Sequence, residues 1–420
     1  MNARPRHRGA GLGALLLALG ALAGCGSASG PAPFTARQVC GPHWVGTWAA
    51  SPSDPSTLRP RLDDQTLRMI VAPHLAGSAL RVHLSNRFGT APVRLGPVSI
   101  ATAGAGPALA PGNERAVRFA GAATVTIRPG GEAVSDPVSL TVAPFRDLAV
   151  SVAVPGAIER PTEHVVTRQT SYLSPPGSGD QVDDAGGAFT GATTTSFSTG
   201  WYFLDEIDVL APASTGAVVA FGDSLTDGYQ GAGTPYREDL STINGDSRYP
   251  DDLARRLIAA GIPLSVLDAG IVGDQLLDGG LKRFAADALA LAGVSDVVVM
   301  EGINDLVGDA ASAQRLITAY QQLVAEAHAA GVRIQLGTLT PDTAPGSAAT
   351  RDGREQVNAW IRGQHLSDGI IDFDAAVRDP SDPTRLNPAF DGSDHVHLNP
   401  AGYRAMADAV DLAELARPTC

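Results

Sequence analysis

The run Ala217-Val218-Val219-Ala220-Phe221 passes directly into Gly222-Asp223-Ser224-Leu225. Five apolar residues without alternation suit a strand covered on both faces, as in a parallel sheet flanked by helices. The glycine at its end allows a sharp bend, so the turn is expected to present the Ser224 hydroxyl, exposed, at the rim of the sheet. Strand-like runs recur at 264–267, 297–300, 333–339 and 370–373. Helical stretches lie between them: 250–260 opens on Pro250 and stops at Gly261, and 312–330 stops at Gly331. Five such units predict an α/β protein with a flavodoxin-like, doubly wound parallel sheet.

In open sheets of this kind reactive groups gather beyond the carboxyl ends of the strands. After the second run comes Asp268-Ala269-Gly270-Ile271-Val272-Gly273-Asp274, in which Gly273 lets a substrate oxygen approach a backbone N–H without a β-carbon in the way. After the third comes Gly302-Ile303-Asn304-Asp305, and the neutral Asn304 amide can donate to the same oxygen. After the fifth comes Asp394-His395-Val396-His397, followed by Leu398-Asn399-Pro400, which opens the final helix. A serine is a poor nucleophile until a neutral imidazole takes its proton, and the imidazole needs a carboxylate to hold its tautomer. Only His397 has an aspartate three residues upstream. His395 is left to pair with Asp391, to contact substrate or to be solvated. Asp274 and Asp305 are expected to fix their loops. Tyr229 and Tyr236 either line the cleft or are exposed loop residues.

These four blocks, in this order, resemble the SGNH hydrolase superfamily, the GDSL esterases and lipases, over roughly residues 214–416. The resemblance implies Ser224 as nucleophile, His397 as base and Asp394 as its carboxylate partner. It also implies an oxyanion hole made by Ser224, Gly273 and Asn304, with no cofactor and no metal. Asp268 departs from the pattern, since many members carry asparagine there.

Ahead of this region the pattern is different. Segments 66–71, 79–84, 138–142 and 148–154 are short; in the last, Leu148, Val150, Val152 and Val154 share one face, and turn clusters such as Pro129-Gly130-Gly131 separate such runs. They predict an antiparallel β-sandwich over 41–212, with a boundary near Ala211-Pro212-Ala213-Ser214 and the catalytic domain over 213–420. The stretches 44–52 and 80–89 resemble the N-terminal region of a subgroup of xylan-associated arylesterases and acylhydrolases. Trp44, Trp48 and Trp201 either stack on sugar rings or pack in the core, the latter being favoured. Of His43, His74, His83 and His164, His83 alternates with Arg81 and reads as part of a solvated strand face.

The first residues carry Arg4, Arg6 and Arg8, then an apolar run over 12–22 that is short for a membrane span. The run ends Leu22-Ala23-Gly24-Cys25, which resembles a bacterial lipobox. This implies a signal peptide over 1–24, lipidation of Cys25 and a flexible tether over 25–40; the alternative is an ordinary signal peptide cleaved nearby. Cys40 and Cys420 either form a disulfide or stay as thiols. A net charge of −13 makes nucleic acid an improbable partner. Lys282 is the single lysine. The expected protein is an extracytoplasmic, membrane-attached serine carboxylic ester hydrolase. It would remove short acyl groups, acetyl above all, from an acylated carbohydrate or a small ester. A surface lipase or phospholipase, and an anchored carbohydrate-binding protein with a vestigial site, are the competing readings.

Overall fold

The computed structural model describes residues 41–54, 61–193, 200–232, 238–306, 311–344 and 347–415. The expected signal peptide, the tether with Cys25, and both Cys40 and Cys420 lie outside these residues. The described residues belong to one compact unit, and no helix among them is long and apolar enough to cross a membrane.

The strand read first from the sequence, Gly216–Gly222, has all seven of its residues buried. It pairs in parallel with Leu264–Gly270 on one side and Val294–Met300 on the other. Arg333–Gly337 and Gly369–Ile371 extend the sheet. The first of these strands in chain order therefore lies second in the sheet, between the second and third. The chain thus reverses direction across the sheet at this strand, and such a switch point opens a crevice at the strands' carboxyl ends. The Ser224 turn stands at that crevice.

Helix boundaries follow from local chemistry. Tyr249–Ala259 begins with Pro250 in its first turn, and the Asp251 carboxylate accepts the Arg248 backbone N–H at 2.9 Å. It ends before Gly261, whose φ is +65°. In Pro400–Ala409 the Asn399 side chain accepts the N–H groups of Ala401 and Gly402, both at 3.0 Å. The helix Ala348–Gly363 and the wide helical turns Leu276–Gly280 and Ala285–Leu289 add to the elements expected from the sequence.

The front part holds two large antiparallel sheets and two short two-stranded ones. One large sheet joins His43–Ala49, Leu204–Ala211, Gly77–Ser85, Glu132–Val134 and Val138–Val142; the other includes Leu62–Val71, Leu148–Ile158 and Val98–Thr102. Their inward side chains, among them Leu80, Val82, Ile207, Met69, Val150 and Val152, form one core. Trp48 and Trp201 belong to that core and meet edge to face at 4.8 Å, with the Trp201 indole N–H donating to the Ile70 carbonyl at 2.8 Å. Trp44 packs under the Arg81 guanidinium. Val45, Ala49 and Ala211 turn the other way and join the core of the parallel sheet, so the front strands cover part of that sheet.

His83 does not lie on the expected solvated strand face but is largely covered. Its ring Nε2 lies 2.9 Å from Asp208 and its Nδ1 3.6 Å from Glu206, both carboxylates being buried. Burial works against a charged ring, but the bond to Asp208 and the charges of Glu206, Asp208 and Asp205 outweigh it and raise the pKa to about 9. His83, Glu206 and Asp208 have the spacing of a metal site among the described residues. Arg81 also pairs with Asp208, so that carboxylate is shared between the guanidinium and the ring. The group is an ion-pair cluster. His74 and His164 are likewise buried: His74 bonds the Val266 carbonyl at 2.7 Å, and His164 bridges the Ser51 carbonyl at 2.8 Å and Asp227 at 3.3 Å. Strand alternation assigned faces correctly but could not show that the parallel-sheet half covers them.

Candidate active site

The strand Gly216–Gly222 can bend at its end only because Gly222 lacks a side chain. A β-carbon there would lie 2.2 Å from Thr226 Oγ1 and 2.3 Å from the Met300 carbonyl. The chain then turns, with the Thr226 and Asp227 N–H groups donating to the Asp223 carbonyl at 3.0 Å. Ser224 at the head of this turn is only 5% exposed, against the expectation of an exposed hydroxyl. What covers it is an imidazole: Ser224 Oγ lies 2.9 Å from His397 Nε2. His397 Nδ1 lies 2.7 Å from Asp394 Oδ2. Asp394 Oδ1 accepts the Val396 and His397 N–H groups at 3.1 and 2.8 Å, which fixes the carboxylate from its other side. Burial opposes ionisation of Asp394, but the bonds from His397 hold its carboxyl below the usual carboxylate range. Serine, imidazole and carboxylate thus form one hydrogen-bonded line.

His395 points elsewhere. Its Nδ1 lies 2.6 Å from Asp391, its backbone is left-handed at φ +68°, and its side chain is half exposed. That leaves His397 alone against the serine.

The two loops expected to supply donors to an oxyanion flank this line. The Ile271 N–H donates to the Gly222 carbonyl at 3.0 Å, placing the second loop beside the Ser224 turn. Gly273 is exposed with φ +78°, and nothing lies within 4 Å of where its β-carbon would be. Asn304 Nδ2 donates to the Asp274 carbonyl at 2.8 Å, which orients the amide and leaves its second hydrogen available. Asp305 accepts the Leu276 and Leu277 N–H groups at 2.8 and 2.9 Å, and Asp274 pairs with Arg283 at 2.5 Å. Both aspartates fix loops.

Asp268, the departure from the pattern, accepts the Gly270 N–H at 2.9 Å. Burial pushes its pKa up to about 7, in part offset by Arg248. Its second oxygen faces the Arg248 guanidinium at 3.4 Å, so both oxygens accept and the carboxyl ties this loop to Arg248.

Of the residues beside this line, Tyr229 was left open between two readings and Gly231 was not legible in the sequence. Tyr229 is not an exposed loop residue: it is buried, and its ring meets His397 edge-on at 4.6 Å. Tyr236 lies outside the described residues. Gly231 packs against the acid, since a β-carbon there would lie 2.0 Å from Asp394 Oδ2. The chain that carries these residues is held by the front part. Thr242 Oγ1 donates to the Gln230 side chain at 2.7 Å, and the Asp239 N–H donates to the Gln230 carbonyl at 2.8 Å. Arg168, buried and with φ +52°, bonds Glu238, Thr242 and the Asp239 carbonyl. Thr170 and Asn244 exchange two further bonds, at 2.7 and 3.0 Å.

Residues 220–405 match the model of the GDSL-like lipase/acylhydrolase family. Solved structures similar to the chain include a lipase/acylhydrolase from Enterococcus faecalis, at 22% identity and TM-score 0.35, over 46% of this chain and 93% of that one. A GDSL-like lipase from Bacteroides thetaiotaomicron matches at 20% and 0.35, over 47% and 87%. A variant of an acetyl xylan esterase from Geobacillus stearothermophilus matches at 20% and 0.37, over 49% and 97%. A search of curated proteins finds no match.

Proposed function

From a hydrolase with a GDSL-like lipase/acylhydrolase domain over residues 220–405, we propose a serine carboxylic ester hydrolase that removes short acyl groups, chiefly acetyl, from carbohydrate hydroxyls. The observation that carries this reading is the continuous line from Ser224 Oγ through His397 to Asp394, at 2.9 and 2.7 Å.

Each residue then has a role set by its position. His397 Nε2 takes the Ser224 proton as Oγ attacks the ester carbonyl. Asp394 keeps the other ring nitrogen protonated and stabilises the imidazolium that forms. The N–H groups of Ser224 and Gly273 and the amide of Asn304 donate to the oxyanion, each such donor contributing on the order of 3 kcal/mol to the transition state. The imidazolium returns its proton to the departing alcohol, leaving an acyl group on Ser224. A water, deprotonated by the same ring, releases the acid and regenerates the serine.

The place of action in this reading is outside the cytoplasm, at a membrane surface through a lipid on Cys25. The motivation is the Arg4, Arg6, Arg8 patch, the apolar run and Leu22-Ala23-Gly24-Cys25. The catalytic reading is tested with p-nitrophenyl esters of increasing acyl length. Turnover that peaks at two to four carbons, and that Ser224→Ala lowers by roughly a thousandfold or more, is expected. A preference for long chains would make the protein a lipase instead, and unchanged turnover in Ser224→Ala would overturn the reading.

A further inference from the structure

A cleft of 570 Å³ opens between the front part and the loop that follows the second parallel strand. Pro52, Asp54 and Phe88 line it from the front part; Ile271, Asp278 and Lys282 line it from the other side. Ile271 and Asp274, both in its wall, bracket Gly273, and Ile271 is bonded to the residue two before Ser224. Its volume lies within the range of small-molecule sites, about 300–1,000 Å³. We propose that this cleft binds the alcohol side of the ester and that this alcohol is an uncharged sugar chain. The proposal rests on the esterase reading and goes beyond it by placing the carrier of the acyl group on the front part of the chain.

Three features argue for a neutral sugar. Phe88 is 37% exposed in the cleft wall, and its backbone is anchored by its N–H donating to Thr162 Oγ1 at 3.0 Å. An aromatic face held in this way suits the C–H face of a sugar ring. The charged groups of the described wall are already matched. Asp278 pairs with Lys282 at 3.0 Å, Asp54 with Arg160 at 3.0 Å, Asp274 with Arg283, and Arg87 with Asp287. No charge is left over to draw an ionic headgroup, whereas the oxygens of Asp54 and Asp278 and the Lys282 ammonium still offer hydrogen bonds to hydroxyls. A long acyl chain fits poorly for the same reason, because it would bury the carboxylates of the rim against hydrocarbon.

The test separates binding from turnover. Ser224→Ala protein, with and without Phe88→Ala, is titrated calorimetrically with xylohexaose and with cellohexaose, neither acylated. At least one is expected to bind, and Phe88→Ala should weaken that binding about tenfold or more. In protein with Ser224 intact, the ratio of kcat/KM on acetylated xylo-oligosaccharide to kcat/KM on p-nitrophenyl acetate should fall by a similar factor. Lys282→Ala should move the same ratio in the same direction. No binding of either sugar, or binding unaltered by Phe88→Ala, overturns the proposal even if the esterase reading stands. Absence of ester turnover with intact sugar binding overturns the esterase reading alone.

Discussion

Replacing Gly231 by alanine should disable the acid–base pair without touching any of its members. The added β-carbon would sit 2.0 Å from Asp394 Oδ2 and 2.2 Å from its Cγ, where ordinary contact begins at 3.4 Å. Gly231 is not among the residues with positive φ, so its backbone can carry alanine and the clash falls on the acid. Asp394 has a short side chain, and its Oδ1 is tied to the Val396 and His397 N–H groups. The carboxylate must therefore swing by more than 1 Å, and the 2.7 Å bond to His397 Nδ1 is lost. A displacement of about 1 Å in a catalytic constellation costs on the order of a hundredfold in rate. We expect Gly231→Ala to lower kcat on p-nitrophenyl acetate by about that factor, with KM nearly unchanged, and Asp394→Asn to lower it further. Thermal melting recorded alongside establishes that the variant is folded. A folded Gly231→Ala enzyme with wild-type kcat would refute the claim that Asp394 orients the histidine.

Three further outcomes follow from the same geometry. Arg168→Ala removes the guanidinium that pairs with the buried Glu238 and bonds Thr242 and the Asp239 carbonyl; the melting temperature should fall, and adding Glu238→Gln should recover part of the loss. A single variant as stable as wild type would mean that the pair does not hold the chain bearing Gln230 and Gly231. His397→Ala should reduce kcat by about 10⁴-fold or more, whereas His395→Ala should leave it near wild type, and the reverse order would reassign the base. The pKa of His83 is raised above its unfolded value of about 6.5, to about 9. Its contribution to stability is therefore complete below about pH 6.5 and is lost as pH rises through about 9, on the order of 3 kcal/mol in all. Denaturation midpoints from pH 6 to 10 should fall less steeply in His83→Gln than in wild type, and parallel curves would count against the cluster.

Local signals made the parallel sheet legible. A strand buried on both faces is a continuous apolar run, as at Ala217–Phe221, and Pro250 and Gly261 punctuate a helix because of their own backbones. The line of Ser224, His397 and Asp394 was legible because each residue sits in a short block beyond a strand. Tertiary approach hid the rest. Nothing in Gln230-Gly231-Ala232 signals that a carboxylate from residue 394 will lie against it. Arg168 adopts a left-handed conformation that sequence assigns to glycine or asparagine, and only its bonds to Glu238 and Thr242 account for the arginine there. His83 was misjudged because its partner, Asp208, lies 125 residues away. The helix Ala348–Gly363 escaped notice because it is polar, with Gly353 inside it.

The central claim is that Ser224 is an activated nucleophile, and it is tested most directly by reaction with a fluorophosphonate. Oγ attacks phosphorus, fluoride leaves, and the proton passes to His397. Mass spectrometry of the digested protein should find stoichiometric phosphonylation on the peptide containing Ser224, and none in Ser224→Ala or His397→Ala. Label on another residue, or an unmodified Ser224 in folded protein, would contradict the account.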